Sequence, residues 1–306
     1  MEISAYTGVW PVAPTPFTDS GELDLEGMKR ILDCMIDQGV DGICILANFS
    51  EQFLLTDDER AVLTKLCLEH VNGRVPVIVT ASHFSTQVVE TRCREAAEMG
   101  AAMIMLMPPY HGTGLRADEA GVIEHFARAG EAGGIPIMLQ DAPLSGVALS
   151  VPMMVRMANE IPLLQYFKIE MPQTAAKLRS LIEAGGEAII GPFDGEESIT
   201  LIADLNAGAT GSMCSASLPE KIREVVVDHR EGRKAEAAKG YEKMLPLINF
   251  ENRQCGWRAC KVIMKEGGVI KSEAVRHPVR DLHPATRTEL LELARPHDLV
   301  AMRWGK

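Results

Sequence analysis

The sequence has no long apolar run and no surplus of positive charge. Its 306 residues include 31 lysines and arginines against 42 aspartates and glutamates, which gives a formal net charge of −11. Apolar stretches such as residues 101–107 are far shorter than the roughly 18 residues of a membrane span. An acidic chain without a basic cluster is not typical of a nucleic-acid-binding protein. We therefore expect neither a membrane nor a nucleic acid as a partner.

The sequence also lacks the cysteine and histidine spacings that bind metals. Its seven cysteines form no C-x-x-C pair, and its eight histidines form no H-x-x-x-H pair. Cysteines without such spacing are mostly small buried residues of proteins in a reducing compartment. The N-terminal residues have neither the basic region nor the apolar core of a secretory signal. We therefore expect a cytoplasmic protein without a metal ion.

Short apolar runs alternate with segments of helical periodicity along the first 220 residues. The runs are near-continuously apolar, as is typical of parallel strands that are covered on both faces. They lie at residues 9–13, 42–47, 75–81, 103–107, 135–140, 164–169, 188–191 and 209–213. Between them, residues 24–38 place apolar side chains on one helical face, and Thr56 with Glu59 forms a capping box.

Eight such repeats favour a closed (β/α)8 TIM barrel over an open, doubly wound sheet. The alternative is a flavodoxin-like or Rossmann sheet with a helical domain. No G-x-G-x-x-G follows the first run and no P-loop occurs, which argues against that alternative and against a bound cofactor. From residue 218 the pattern is helical, over 219–228, 234–250, 258–265 and 285–293. We predict a barrel over residues 1–220 and a C-terminal helical extension packed on it over residues 221–306.

The sixth apolar run carries the strongest chemical signal. Lys168 lies inside this run, although burying an ammonium group is unfavourable unless it is paired or neutralised. Glu170 follows two residues later, so the two side chains point the same way along a strand. Catalytic residues of barrel enzymes lie at the carboxyl ends of the strands. Desolvation favours the neutral amine, and Lys168 is then a nucleophile toward a carbonyl group. The alternative is an ordinary exposed lysine–glutamate pair.

Other strand ends carry weaker candidates for a site. After the second run, Asn48, Phe49 and Ser50 form a turn whose backbone N–H groups are suited to a substrate carboxylate, although a purely structural turn has the same composition. After the fifth run, Gln140 can orient a water or hydroxyl but cannot act as an acid or a base. Asp141 can do so, but an aspartate before a proline turn is usually structural.

The seventh run ends at Gly191, and Asp194 follows it. Asp194 is either a cap for the next helix or part of the wall of a substrate pocket. Together with Gly191, it is our candidate for substrate contacts at this strand end.

The sequence resembles the dihydrodipicolinate synthase/N-acetylneuraminate lyase superfamily. The likeness rests on PTPF at 14–17, GVDGI at 39–43, the spacing of Glu51 from Glu59 and Arg60, and Lys168. It extends over about residues 9–223, and the helical tail also fits. The resemblance implies a (β/α)8 barrel, usually a homotetramer, in which Lys168 forms a Schiff base with a 2-keto acid. It also implies that the turn of Asn48, Phe49 and Ser50 holds the substrate carboxylate.

Two departures from the family pattern bear on the reaction. The family reads GTTGE after strand two, where this chain reads ANFSE at 47–51, and the family's strand-five tyrosine is replaced by Gln140. That tyrosine moves protons during aldol cleavage, so its absence argues against an aldolase. Glu170 is available instead as a general base, which fits the dehydration of a 2-keto-3-deoxy sugar acid. The proton for the leaving hydroxyl then comes from Glu170, from a water held by Gln140, or from Ser50.

The combination of ANFSE, Gln140 and the Lys168–Glu170 spacing is most similar to the branch of the family that acts on L-2-keto-3-deoxyarabonate. The implied reaction yields 2,5-dioxopentanoate and water without a cofactor. A first rival is an aldolase that releases pyruvate and uses another base, such as His111. A second is a barrel that binds 2-keto acids as a sensor without turnover.

Overall fold

The computed structural model describes residues 6–112, 115–147 and 149–306. These residues form two compact units. The first unit consists of Val77–Glu196 and Thr200–Met213, together with the described residues Tyr6 and Thr7. The second consists of Gly8–Pro76, Glu197–Ile199 and Cys214–Lys306. The predicted boundary at residue 220 between a barrel and a helical extension stays a prediction.

Strands and helices alternate along the described residues. The strands are β1 (Gly8–Val9), β2 (Ile43–Ile45), β3 (Val77–Thr80), β4 (Met103–Leu106), β5 (Tyr110–His111), β6 (Leu115–Arg116), β7 (Ile137–Asp141), β8 (Leu164–Ile169), β9 (Gly191–Asp194) and β10 (Gly211–Ser212). The α-helices are α1 (Leu25–Asp37), α2 (Asp57–Val71), α3 (Thr86–Glu98), α4 (Glu119–Gly133), α5 (Val151–Glu160), α6 (Thr174–Gly185), α7 (Leu201–Asn206), α8 (Pro219–Arg230), α9 (Lys234–Phe250), α10 (Arg258–Glu266) and α11 (Pro284–Ala294). Among the described residues, no helix is both long enough and apolar enough to cross a membrane.

The first unit contains a sheet of parallel strands in the order β3, β4, β7, β8, β9, β10. The strands are almost entirely buried, which explains their continuous apolar runs. Gln140 on β7, Lys168 on β8 and Phe193 on β9 are partners in register. Residues in register on parallel strands share one face of the sheet. The fold therefore aligns the Gln140 and Lys168 side chains near the carboxyl ends of neighbouring strands.

The second unit contains β1, β2 and the helices α1, α2 and α8–α11. The helix caps predicted from the sequence are confirmed. Asp24 caps α1 by accepting the N–H of Gly27 at 2.9 Å, and Thr56 with Glu59 forms the capping box of α2. The predicted helical tail is also confirmed, since α8–α11 fall on the four predicted segments within a residue or two.

The seventh strand differs from its prediction. The apolar run at 188–191 predicts a strand there, but β9 begins only at Gly191 and ends at Asp194. The reason is a 3-10 turn at Gly186–Ala188, where Gly186 has a φ of +52° and the chain reverses before the strand can start. The interpretation of Asp194 as a helix cap is wrong, because α7 begins at Leu201 and its N-terminal cap position is Thr200.

Candidate active site

Lys168 lies on β8 with only 2% of its side chain exposed. Its neighbours along the strand, Phe167 and Ile169, are fully buried. Burial of an ammonium group is unfavourable unless a partner compensates for the lost hydration. Glu170 is such a partner, since its Oε1 lies 3.2 Å from Lys168 Nζ. The prediction that these two side chains point the same way is confirmed.

Glu170 is held from a second side by Gln140. The buried amide of Gln140 donates from Nε2 to Glu170 Oε2 at 2.6 Å. The Glu170 side chain nevertheless keeps 15% of its surface exposed. The structure thus brings the three predicted catalytic residues, Lys168, Glu170 and Gln140, into one hydrogen-bonded group. An amine, a carboxylate and an amide in this order supply a nucleophile, a proton acceptor and a group that orients the acceptor.

Gly195 also belongs to this group, although the sequence reasoning did not select it. A Cβ atom at Gly195 would lie 2.6 Å from Lys168 Cγ and 3.0 Å from Glu170 Cγ, so only glycine leaves room for both side chains. Gly191, the predicted contact, lies instead at the beginning of β9, where a Cβ would meet the ring of Tyr166 at 2.1 Å. Gly195 directly follows the end of β9, where site residues of a barrel are expected. It was not selected because the strand was predicted to end at Gly191 and not at Asp194.

Asp194 is fully buried and makes its described contacts on the other face of β9. It is in register with Ile169, and alternation along the strands directs both side chains away from the face of Lys168. Its Oδ2 accepts a hydrogen bond from Ser212 Oγ at 2.6 Å. Burial raises the pKa of Asp204 to about 7, and the nearby charge of Asp194 adds to this shift. Asp194 and Asp204 are therefore a buried carboxylate pair with a structural role. A contact of Asp194 or Gly191 with substrate stays a prediction.

In the second unit, the turn predicted to hold a carboxylate is a 3-10 turn, Asn48–Ser50. Ser50 Oγ donates to the carbonyl oxygen of Ala13 at 2.6 Å and accepts the N–H of Ala47 at 3.1 Å. The Asn48 side chain accepts a hydrogen bond from Gln52 Nε2 at 2.7 Å. Because the only proton of the Ser50 hydroxyl is used in the first of these bonds, the structure argues against Ser50 as the acid for the leaving hydroxyl.

Glu51 follows this turn and forms a buried ion pair that the sequence analysis missed. Its carboxylate contacts Lys261 Nζ on α10, and neither side chain has any exposed surface. The Lys261 ammonium also lies 4.3 Å from the centroid of the Phe17 ring, and it donates to the carbonyl oxygen of Ala274 at 2.9 Å. Helical periodicity places Lys261 within the C-terminal tail, but nothing in the sequence pairs it with residue 51.

Within the described part of the chain, no group of three or more His, Cys, Asp or Glu side chains is arranged to hold a metal ion. All seven cysteines are buried with free thiols. Burial raises the pKa of the Cys93 thiol to about 12, and the same cause acts on Cys255 and Cys260. Thiolates, the form that binds metals and forms disulfides, are therefore disfavoured at these positions.

Two comparisons of the sequence agree over nearly the whole chain. The model of the dihydrodipicolinate synthetase family matches residues 5–296. L-2-keto-3-deoxyarabonate dehydratase of Azospirillum brasilense is 58% identical over 98% of this chain and 97% of its own length. A 4-hydroxy-tetrahydrodipicolinate synthase of Sulfurihydrogenibium sp. is 26% identical over 94% of this chain and 96% of its own length.

Solved structures confirm the fold class. Dihydrodipicolinate synthase from Aquifex aeolicus superposes with a TM-score of 0.89 at 22% identity, covering 96% of this chain and 99% of that chain. YagE, a prophage protein of E. coli K12 solved in complex with pyruvate, gives a TM-score of 0.88 at 24% identity, with coverage of 96% and 99%. The predicted (β/α)8 barrel is therefore correct. By its sequence and its fold, the chain belongs to the dihydrodipicolinate synthetase family.

Proposed function

We propose that this protein dehydrates a 2-keto-3-deoxy sugar acid through a Schiff base on Lys168. The most specific form of the proposal is the conversion of L-2-keto-3-deoxyarabonate to 2,5-dioxopentanoate and water. Its support is the 58% identity to a dehydratase of that name. The observation that carries it is the carboxylate of Glu170, held between Lys168 and Gln140 at 3.2 and 2.6 Å.

The first step joins the enzyme to its substrate. The neutral amine of Lys168 attacks the C2 carbonyl carbon, and the carbonyl oxygen leaves as water. The product of this step is an iminium ion, whose positive charge makes the neighbouring C3 protons more acidic. Glu170 lies beside the nitrogen that carries this charge, so its carboxylate stabilises the iminium as well as facing the protons to be removed.

The second step is the elimination. Glu170 accepts a C3 proton, and the electron pair of the broken C–H bond forms the enamine. The enamine then expels the C4 hydroxyl, which leaves as water after taking a proton from the newly formed Glu170 carboxylic acid. Tautomerisation then converts the remaining C3–C4 double bond and the C5 hydroxyl into an aldehyde at C5. Hydrolysis of the imine returns Lys168 and releases the dioxo acid. One molecule of water is lost overall, because the water released in imine formation is consumed in hydrolysis.

Gln140 replaces the phenol that an aldolase of this family needs. Its amide cannot act as an acid or a base at neutral pH, and it donates a hydrogen bond to Glu170. The rival base for aldol cleavage, His111, lies on the hairpin of β5 and β6 with its ring centroid 5.7 Å from that of Phe84. The amide of Gln140 in place of the phenol supports elimination over C–C cleavage.

The remaining assignments are proposals that rest on the family. The turn of Asn48, Phe49 and Ser50 is proposed to bind the substrate carboxylate. The protein is proposed to assemble as a homotetramer, which light scattering coupled to gel filtration would test. A cytoplasmic location is supported by the seven buried free thiols, which are typical of a reducing compartment.

Product analysis with L-2-keto-3-deoxyarabonate tests the proposal directly. We expect 2,5-dioxopentanoate without pyruvate, and no product from Lys168→Met. Lys265→Met, the same substitution at an exposed lysine of α10, is the matched control and should retain full activity. Pyruvate with glycolaldehyde would instead identify an aldolase, and binding of the sugar acid without any product would identify a sensor.

A further inference from the structure

One arginine of the C-terminal tail, Arg276, bonds to four residues of the second unit. Its guanidinium donates to the carbonyl oxygens of Gly21 at 2.8 Å and of Leu54 at 2.9 Å. It also makes two hydrogen bonds to the carboxylate of Glu59, in the first turn of α2, at 2.6 and 2.5 Å. Its backbone N–H reaches Glu51 Oε2 at 3.4 Å. Only the planar guanidinium has enough donors for this set of contacts, so a lysine would not replace it.

These contacts lie directly after the turn of Asn48, Phe49 and Ser50. Glu51 follows that turn with a φ of +59°, and its N–H donates to the carbonyl oxygen of Asn48 at 3.0 Å. A second 3-10 turn, Gln52–Leu54, comes next and ends at the carbonyl group that Arg276 binds. A residue with a side chain rarely adopts a positive φ, so the surroundings must support this conformation. Arg276 contributes to that support from the C-terminal tail.

The segment of Thr15 and Phe17 holds the turn from another side. Thr15 Oγ1 donates to the carbonyl oxygen of Ser50 at 2.7 Å. Two residues later, the fully buried ring of Phe17 contacts two cations, with Arg276 Cζ 4.4 Å and Lys261 Nζ 4.3 Å from its centroid. Arg276 therefore contacts both the segment that follows the turn and the segment that binds Ser50.

The pair of Arg276 and Glu59 stays charged well below neutral pH. The hydrogen bonds from Arg276 are the main cause that lowers the pKa of Glu59 to about 2, and the N–H of Thr56, which donates to Glu59 Oε2 at 2.9 Å, adds to the shift. Only 18% of the Arg276 side chain and 21% of the Glu59 side chain are exposed. A two-bond arginine–carboxylate pair fixes the geometry of both groups more strictly than a single contact does.

We propose that Arg276 is a positioning residue that fixes the turn of Asn48, Phe49 and Ser50 for recognition of the carboxylate of a 2-keto acid. It acts through the backbone of the turn and not through a contact of its own with the substrate. Backbone N–H groups bind an anion well only when their directions are fixed before the anion arrives. This inference rests on the proposed binding of the substrate carboxylate by this turn.

Pyruvate and its methyl ester separate recognition of the carboxylate from formation of the imine. Both carry a C2 ketone that Lys168 can attack, but only pyruvate carries the negative charge. Cyanoborohydride reduces the imine, and mass spectrometry gives the rate of labelling at each concentration of the probe. The half-saturating concentration measures binding of the probe, and the maximal rate measures the reactivity of the amine.

Arg276→Met should weaken the response to pyruvate alone. We expect the half-saturating concentration of pyruvate to rise by about tenfold, which is the effect of losing one hydrogen bond to a charged group. The maximal rate should stay within about twofold of the wild type, and both values for methyl pyruvate should do the same. Arg276→Lys keeps the charge without the planar set of donors, so a rise of about threefold for pyruvate is expected.

Arg287→Met is the matched control. Arg287, on α11 of the same tail, also makes two hydrogen bonds to one carboxylate, that of Glu273, at 2.7 and 2.9 Å. None of its bonds among the described residues reaches the turn, so both probes should respond as with the wild type. If Arg276→Met fails to fold, Arg276→Lys and Glu59→Gln decide the question. Glu59→Gln preserves a side chain suited to the capping box and should raise the half-saturating concentration of pyruvate only.

A purely structural role predicts a different pattern. Equal losses with pyruvate and methyl pyruvate, or a lower maximal rate with both, would show a general disturbance of the fold and overturn the inference. An unchanged response to pyruvate in the Arg276 variants would overturn it as well.

Failure of the proposed function is distinguishable from failure of this inference. A wild-type protein that is labelled with pyruvate but makes no 2,5-dioxopentanoate would contradict the dehydration, while the comparison of the two probes would still decide the role of Arg276. A wild type without preference for pyruvate over its ester, or without any labelling, would remove recognition of the carboxylate, and the inference would fall with it.

Discussion

The protein buries two lysines, Lys168 in the first unit and Lys261 in the second, and each contacts a glutamate. Glu51 is as completely buried as Lys261, and the ammonium of Lys261 is further satisfied by a carbonyl oxygen and by the face of Phe17. Glu170, by contrast, retains 15% exposure and shares its carboxylate between Lys168 and Gln140.

This difference separates a structural pair from a usable one. Burial lowers the pKa of Lys261, and Glu51 opposes the shift by stabilising the charged form. Both partners are sealed from solvent, so a carbonyl substrate has no route to this amine. At Lys168 the accessible partner is Glu170, the group that we propose exchanges a proton with the substrate. A buried lysine beside a glutamate therefore indicates catalysis only when the glutamate remains accessible and a second group orients it.

The largest expected effect comes from Glu170→Gln, which removes the proton acceptor and keeps the shape of the side chain. We expect kcat for the dehydration to fall by about 10²- to 10⁴-fold, since this is the usual contribution of a general base. Borohydride labelling of Lys168 in the presence of substrate should persist, because the substitution at position 170 leaves the Lys168 amine available as the nucleophile. A variant with nearly normal kcat would contradict the assignment of Glu170.

The next largest effect concerns stability rather than turnover. Lys261→Met leaves the buried carboxylate of Glu51 without its cation and with only the backbone N–H of Arg276, at 3.4 Å, as a described hydrogen-bond donor. We expect the free energy of unfolding to fall by about 3–5 kcal/mol. Adding Glu51→Gln should recover most of this loss, because the double variant buries no charge. Urea unfolding measures both variants. Lys265→Met is the control, because Lys265 is exposed on the same helix and its ion pair with Glu273, at 3.7 Å, contributes little to stability. An unchanged midpoint for Lys261→Met would mean that the pair contributes no net stability.

The smallest effect concerns Glu251, a buried glutamate that forms no ion pair with a lysine or arginine among the described residues. Glu251 accepts hydrogen bonds from Ser215 at 2.6 Å and Ser217 at 2.8 Å, and burial raises its pKa to about 7. The folded state keeps this proton at pH values where the unfolded chain loses it. The stabilisation is complete below about pH 4.5 and is lost as the pH rises through about 7, with a total of up to about 3 kcal/mol.

Glu251→Gln should therefore lose less stability than the wild type between pH 5 and pH 8. Melting temperatures at both pH values measure the difference, and Glu236→Gln, an exposed position on α9, is the matched control. Equal pH dependence in wild type and Glu251→Gln would show that Glu251 does not titrate in this range.

The sequence predicted the alternation of strands and helices because apolar runs and caps are local signals. Thr56 and Glu59 are three residues apart, so their capping box is visible without any tertiary contact. The same is true of Lys168 and Glu170, whose common direction follows from the period of a strand. The seventh strand begins at Gly191 and not at the predicted residue 188, because the 3-10 turn at Gly186–Ala188 includes the first residue that the apolar pattern assigned to the strand.

Contacts between distant residues were outside the reach of these patterns. Gly195 was missed because the need for glycine at this position comes from the Lys168 side chain on a neighbouring strand, which leaves no room for a Cβ atom. In the sequence, Lys177 and Lys261 are ordinary helical lysines. Their ion-pair partners, Asp141 and Glu51, lie 36 and 210 positions earlier in the chain. No periodicity relates residues at such separations.

By itself, the sequence determined the barrel class and the pair of Lys168 and Glu170 that we propose for catalysis, because each follows from local periodicity and from the chemistry of single residues. Only the tertiary structure decided which groups surround that pair. Parallel register aligned Gln140 with Lys168, and the end of β9 brought Gly195 against the side chains of Lys168 and Glu170. The chemistry of each side chain follows from its residue type alone, whereas the balance of charge at a buried site depends on distances that only the folded chain fixes.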